Sequence, residues 1–384
     1  MAGAYTAVVD DPLALYWNPA GLGLIKEKTV TLGTTAVKGY ASYETSRFFW
    51  IPEGEIEKNK VPWAYIPHFA SAVPVKYGMV LGVGSFTPYG LKQIWRDDSY
   101  YKFNSVRSEI WLNTIQIGVG GKWGENFYWG VSLGDGVSRL AAKQRVVEII
   151  SSPPFLVPAW AKISAESRGF YGTLGFLWKP RDKFTLGLCW RSPSKHYFKG
   201  EVDFSPAQGD SFERKMKMKF TFPQVYSLGM AYRGIPRWLI SLQVDWTNWE
   251  EMGTLVQHLY KEVFLFGMTS PQDVVRIKRD WKNTYTLHLG GEYKINDKWF
   301  LRLGYMLDPS PVPEETLDPL MFDVTVDRYS IGLGYKGENW AVDLAYMYSQ
   351  GRKREVEDSE NLFPTNGTYK GYSQVVDLTF NLFF

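Results

Sequence analysis

The stretch Trp299-Phe300-Leu301-Arg302-Leu303-Gly304-Tyr305-Met306 decides the fold. On an extended chain Trp299, Leu301, Leu303 and Tyr305 fall on one side, and Phe300, Arg302, Gly304 and Met306 on the other, because strand side chains alternate with period two. One side is continuously apolar and bounded by aromatics. The other carries charge and glycine. The pattern recurs in Trp238, Ile240, Leu242, Val244 and Trp246 against Gln243, Asp245 and Thr247. It recurs again in Phe127, Trp129, Val131 and Leu133 against Gly130, Ser132 and Gly134, and in Tyr329, Ile331, Leu333 and Tyr335. A soluble sandwich buries its apolar face under a second sheet and uses strands of about 5–6 residues. These segments are longer, near the ~9–11 residues of a tilted membrane strand, and aromatics at both ends match interfacial girdles.

Composition agrees. Of 384 residues 45% are hydrophobic and 22% charged, which excludes a disordered chain, and aromatics reach 16%. Mean hydropathy is −0.24, and no uncharged apolar stretch approaches the roughly 18 residues of a spanning helix. A membrane barrel escapes that test, since half of each strand is polar. Net charge is +3 with signs mixed along the chain, so nucleic acid is not an expected partner. One cysteine, Cys189, and 4 histidines leave no basis for a metal site, and no cofactor is implied. No signal peptide is visible after Met1, so export implies a leader already removed.

The connections fix the count. Short polar turns sit at 76–78, 124–126, 180–182, 233–236, 296–297 and 336–339. Longer connections run over 44–62, 88–104, 148–161, 205–212, 250–280, 308–323 and 349–368. Six short and seven long connections alternate without exception and separate fourteen strands. That is the pattern of short periplasmic turns and long outer loops. The fold expected is an all-β, 14-stranded antiparallel transmembrane β-barrel over residues 28–384. An even count lets it close, and closure leaves no bare edge in lipid. Residues 1–27 do not alternate and form a separate N-terminal element. The last strand ends at Phe384, the terminal aromatic that outer-membrane assembly machinery is expected to engage.

Three regions carry a family resemblance. Gly3-Ala4-Tyr5-Thr6-Ala7, Asp10-Asp11-Pro12 and Tyr16-Trp17-Asn18-Pro19-Ala20-Gly21 come first. Asp245-Trp246-Thr247-Asn248-Trp249 lies in the middle. The third runs from Leu301-Arg302-Leu303-Gly304-Tyr305 through Pro311-Val312-Pro313 to Asp327-Arg328 and Ser330–Tyr335. Together they resemble the FadL/TodX family of outer-membrane transporters for hydrophobic compounds. The resemblance implies a fourteen-stranded barrel plugged by an N-terminal hatch, here residues 1–27. Family members carry further residues before the Gly-Ala-Tyr element, so the hatch is read as truncated at its start.

Several residues follow as candidates. Asn18, Pro19 and Ala20 mark the hatch, inside a barrel that would otherwise be a water channel. Gly82, Gly84, Pro88 and Gly90 interrupt the third strand, where glycine marks bulges and proline removes a ladder bond. The resemblance implies an inward kink there, beside the hatch, opening a lateral hole to lipid, with Asn18 expected to hold the freed backbone. Arg191, Arg302 and Arg328 have lumen parity. They either bind a substrate carboxylate or pair with acids such as Asp245 and Asp343. Phe155, Leu156 and Trp160 in one outer loop, and Leu255, Leu259 and Val263 at helical spacing in another, either pack together or capture apolar solutes. No catalytic residue is assigned: His68, His196, His258 and His288 are scattered and no Gly-x-Ser-x-Gly elbow occurs. The reading is a monomeric passive channel of the bacterial outer membrane for long-chain fatty acids or aromatic hydrocarbons. Its partners are the substrate and the surrounding lipid. The alternatives are a porin for polar solutes or an outer-membrane barrel enzyme.

Overall fold

The computed structural model of the protein describes every residue except 48–50, 151–154, 208, 264–271 and 362, together with the side chains of 148–150, 155–157, 261–263 and 272. The chain forms a closed 14-strand antiparallel barrel. The strands are β1 (Thr29–Thr45), β2 (Ala64–Pro74), β3 (Met79–Ile94), β4 (Arg107–Trp123), β5 (Phe127–Ile150) and β6 (Phe155–Arg181). Four more are each interrupted once: β7 (Phe184–Arg191, Ser194–Pro206), β8 (Phe212–Phe222, Val225–Tyr232), β9 (Trp238–Thr247, Thr254–Val263) and β10 (Gln272–Lys278, Thr284–Lys294). The last are β11 (Trp299–Asp308), β12 (Val326–Lys336), β13 (Trp340–Gly351) and β14 (Gly367–Phe383). β1 closes the circle by pairing with β14 from Thr29↔Phe383 to Thr45↔Gly367. Among the described residues no helix is long and apolar enough to cross a membrane.

The alternating pattern positions the lipid band. Trp238, Ile240, Leu242, Leu303, Ile331 and Leu333 face outward and are exposed. A lower girdle brings Phe184 to Tyr232 and Trp238 to Tyr293 as tilted pairs and Trp299 edge-on to Tyr335, with ring centroids 4.7–4.9 Å apart. An upper girdle runs through Trp190, Tyr226 and Trp246, then Tyr305 with Tyr329, and Tyr348 with Tyr372. Eight residue steps lead from Trp238 to Trp246. At about 3.3 Å each and a tilt near 40° they span roughly 20 Å, close to a lipid-facing band.

Two expected loops are strand. β5 and β6 continue as one hairpin through most of 148–161, with Val146↔Ala159 and Glu148↔Val157 paired. The helical spacing in 250–280 is also overturned: Thr254–Val263 pairs with Gln272–Lys278. Leu255 and Leu259 point inward and are buried, while His258 and Tyr260 point outward. Period two fits these residues as well as period 3.6, and pairing across the hairpin decides between them.

Candidate functional site

The lumen is filled in two tiers. The lower tier is the chain before β1, a single α-helical turn (Ala14–Trp17) and a 3-10 turn (Pro19–Leu24). Glycines on the lumen face make room for it. A Cβ at Gly130 would collide with the Pro19 carbonyl oxygen, one at Gly175 with Asn18 Oδ1, and one at Gly304 with Met1. A Cβ at Gly187 would lie 2.6 Å from the Thr6 carbonyl oxygen. A side chain at these positions would need backbone to move.

Polar side chains then hook the segment in place. Gln243 Oε1 accepts from the N–H groups of Tyr5 (3.0 Å) and Thr6 (2.9 Å), while its Nε2 donates to Asp245 Oδ1 at 2.8 Å. Asp245 Oδ2 lies 3.3 Å from His288 Nε2, and His288 Nδ1 donates to the Ala2 carbonyl at 2.8 Å. Ser132 Oγ donates to the Leu15 carbonyl at 3.0 Å. Within the segment Tyr5 donates to Asp11 Oδ2, and the Leu13 N–H to Asp11 Oδ1, both at 2.9 Å. Burial, then the charge of Asp10, pushes the Asp11 carboxyl up to about 7.

Asn18 is buried, and Pro19 and Ala20 with it. Asn18 Nδ2 donates to the Thr6 carbonyl (2.9 Å) and the Phe176 carbonyl (3.3 Å), so it faces β6. The expectation that Asn18 holds the third strand is therefore corrected. Leu15 and Tyr16 do so instead: Leu15 lies under Gly82 at 3.1 Å from a Cβ built there, and Tyr16 stacks on Phe86 at 5.6 Å.

β3 leaves its neighbour. Its pairing with β2 ends at Phe69↔Ser85, while its pairing with β4 continues to Ile94 across a bulge between Phe86 and Tyr89 that contains Pro88. Above Ser85 a cavity of about 870 Å³ lies between Ala64–Pro67 of β2 and Thr87–Gln93 of β3, with Gly90 in its wall. By register Tyr65 and Pro67 stand level with Val376 and Leu378, between Phe380 and the Tyr372 girdle row. The gap thus opens at the height of lipid hydrocarbon. Gly84 lies below it, where a Cβ would meet the Phe86 ring at 2.7 Å.

The upper tier is apolar. Leu140, Val202, Met216, Met218, Phe220 and Leu255 surround a cavity of about 140 Å³ that shares Leu91, Glu109 and Ile110 with the wall cavity. The connection between β11 and β12 dips into it with Leu317 and Met321 buried, held by the enclosed Arg279–Asp318 pair at 2.8 Å.

The three arginines take different places. Arg302 is met by Glu292 (2.6 Å) and Asp343, and Arg328 by Asp308 (2.7 Å). Arg191 is buried at the roof of the hatch, 5.1 Å over the Tyr16 ring, 3.3 Å from Ser227 Oγ and 3.8 Å from Asp245, and its Nε has no partner among the described residues. Leu255 and Leu259 belong to the internal chamber, not to an outer surface. Trp160 is half-buried beneath Lys143 and Arg145 at 4.2 and 4.9 Å. The side chains of Phe155, Leu156 and Val263 lie outside the described residues. Sequence reading missed Gln243 as a hook for the hatch and the row of socket glycines. The signal was glycine recurring on lumen parity in Gly118, Gly120 and Gly130.

His196 sits between two serines: Ser194 Oγ donates to the Phe170 carbonyl and accepts from His196 Nε2 at 2.9 Å, which leaves Nδ1 to accept from Ser167 Oγ at 2.8 Å.

A closed barrel of strands, stoppered from within and parted between β2 and β3, defines a plugged outer-membrane channel. The chain belongs to the FadL/TodX family: the family described as outer membrane protein transport protein (OMPP1/FadL/TodX) matches residues 1–384. The long-chain fatty acid transport protein of Escherichia coli K12 is 22% identical over 402 residues, covering 94% of this chain and 87% of that protein. A FadL homologue from Pseudomonas aeruginosa superimposes with a TM-score of 0.85 at 18% identity, covering 100% of this chain and 96% of that one. The Pseudomonas putida toluene transporter TodX superimposes with a TM-score of 0.75 at 15% identity, covering 100% and 97%.

Proposed function

We propose that this channel takes up hydrophobic molecules passively: the upper apolar chamber receives them, and they leave sideways through the gap between β2 and β3. The gap carries the reading. An apolar solute gains about 25 cal/mol per Å² of surface by entering lipid instead of water, and the gap lies at hydrocarbon height above a closed hatch. The relatives support the substrate class, since one is named for long-chain fatty acids and another for toluene. Asn18, Pro19 and Ala20 seal the floor, Gly82 lets the hatch approach β3, Gly84 makes room for the Phe86 ring, and Pro88 and Gly90 shape the gap. Arg191 is the candidate anchor for an acidic head group. The chamber walls argue against a porin for polar solutes, and membership in a transport family argues against an enzyme.

The test is to block the seam. A bulky maleimide attached at Pro67→Cys or Thr87→Cys should stop uptake in cells while ligand binding to the purified protein survives. Normal uptake by fully labelled protein would remove the lateral route and favour passage through the hatch.

A further inference from the structure

The outward face of β7–β9 changes character just above the upper girdle. Below lie Leu188, Leu228, Trp190 and Tyr226. Above, past the break in each strand where the outward parity switches from even to odd positions, come Lys195, Tyr197 and Lys199 on β7 and Lys215, Lys217 and Lys219 on β8, all exposed. Register places Lys217 directly opposite Lys199, Lys219 opposite Tyr197, and Lys195 opposite Thr221. Like charges facing each other across a ladder are destabilising. Among the described residues none of these five lysines has a carboxylate within 4.0 Å. The acids of this face stand beside or above them: Glu166 opposite Lys199 on β6, Glu251 across the adjoining groove, and, above, a cluster of Glu201, Asp203 and Glu213, of which Glu201 lies opposite Lys215 and Glu213 opposite Asp203. Lys217 Nζ also caps the Tyr260 ring at 5.1 Å.

A groove adjoins the lysines. β8 and β9 pair at Met216–Met218 with Gln257–Leu259, then separate, and pair again from Val225↔Thr247. The interval leaves a cleft of about 820 Å³ on the barrel wall, lined by Tyr197, Lys199, Lys217, Lys219, Thr254 and Val256. Phosphate oxygens suit such a cluster of ammonium donors, because charge-assisted hydrogen bonds are the strong ones. The cluster is fixed at head-group height, where basic residues recognise anionic lipids. Acyl chains from a head group held here would continue down over Tyr226, Leu228 and Leu188.

We propose that this basic shelf binds a phosphorylated, multi-acyl glycolipid of the outer leaflet. The phosphates are met by Lys199, Lys217 and Lys219, and the acyl chains lie along the lower strands. Binding of bisphosphorylated lipid A to the detergent-purified full chain is read by native mass spectrometry. The triple variant Lys199→Gln, Lys217→Gln, Lys219→Gln should weaken it on the order of a hundredfold, from the known worth of a basic residue at a membrane surface. Lipid A stripped of its phosphates should bind the wild type as weakly as the triple variant binds the intact lipid. A control triple at the other end, Lys28→Gln, Lys183→Gln, Lys298→Gln, should bind like wild type. All six side chains are exposed, and heat-modifiable mobility on a gel verifies folded barrels. Equal binding by the Lys199, Lys217, Lys219 triple and wild type, or equal loss in the control triple, overturns the site. Equal binding of the dephosphorylated lipid overturns the phosphate contact. Displacement by inorganic pyrophosphate would reassign the shelf to a soluble anion and overturn the lipid.

Discussion

The lower and upper halves of the lumen are filled by opposite means. Below, glycine sockets admit a backbone, and Gln243, His288, Ser132 and Asn18 bind it through hydrogen bonds to main-chain atoms. Above, Met216, Met218, Phe220, Val202 and Leu255 present only hydrocarbon, aromatic ring and thioether around open space. Directional bonds give a fixed stopper. Non-directional contacts give a chamber that accepts many shapes, and methionine suits this because it is flexible and polarizable. One half of the molecule is built to exclude water, the other to admit grease.

The largest test of that contrast is a glycine change. Gly130→Val or Gly175→Val should expel the Asn18–Pro19 turn, since their new atoms would occupy the place of its backbone or side-chain oxygen. Conductance in planar bilayers should rise from near zero to that of a water-filled barrel, with apolar ligand binding above retained. Unchanged conductance would mean that the sockets do not hold the stopper. A smaller effect sharpens the boundary between the halves. Arg191→Ala should weaken fatty-acid binding by about 1.5–3 kcal/mol, the worth of a hydrogen bond to a charged group, and leave toluene binding unchanged. Equal loss for both ligands would make Arg191 a structural support for Tyr16. The smallest effect concerns pH. Burial and Asp10 raise the Asp11 carboxyl from 3.8 to about 7, so the docked segment holds a proton that the undocked one has released. The stabilisation is complete below about pH 4 and lost as pH rises through 7. Protection factors of the Tyr5–Leu13 amides against hydrogen exchange should fall over that interval, and Asp11→Asn should flatten the dependence.

Much of this was legible in the sequence. Strand parity placed Leu303 and Ile331 in lipid and Arg302 inside, because period two is rigid and lipid tolerates no exception. Turn spacing gave the strand count for the same reason. Reading stopped where partners are distant. That Asn18 faces Phe176 rather than β3 depends on a contact between residues far apart in the chain. The hairpin in 250–280 was misread because Leu255, Leu259 and Val263, each four residues apart, fall on one side of a strand as well as on one face of a helix. Arg191 differs from Arg302 only through neighbours, Tyr16 in one case and two carboxylates in the other.

The hatch has a consequence for assembly. Its internal structure is limited to short turns and a few local hydrogen bonds, and it also depends on sockets spread around the circle. Ala2 is bonded to His288 and Ser330, 286 and 328 residues away, and β1 waits for β14 at the far end of the chain. Contacts of such sequence separation form late, because the loop-closure entropy precedes any gain. The segment before β1 is therefore expected to be the last to become ordered. In this order the cylinder is complete before its stopper is seated, so the seal is the part of the fold most sensitive to an error elsewhere on the circle.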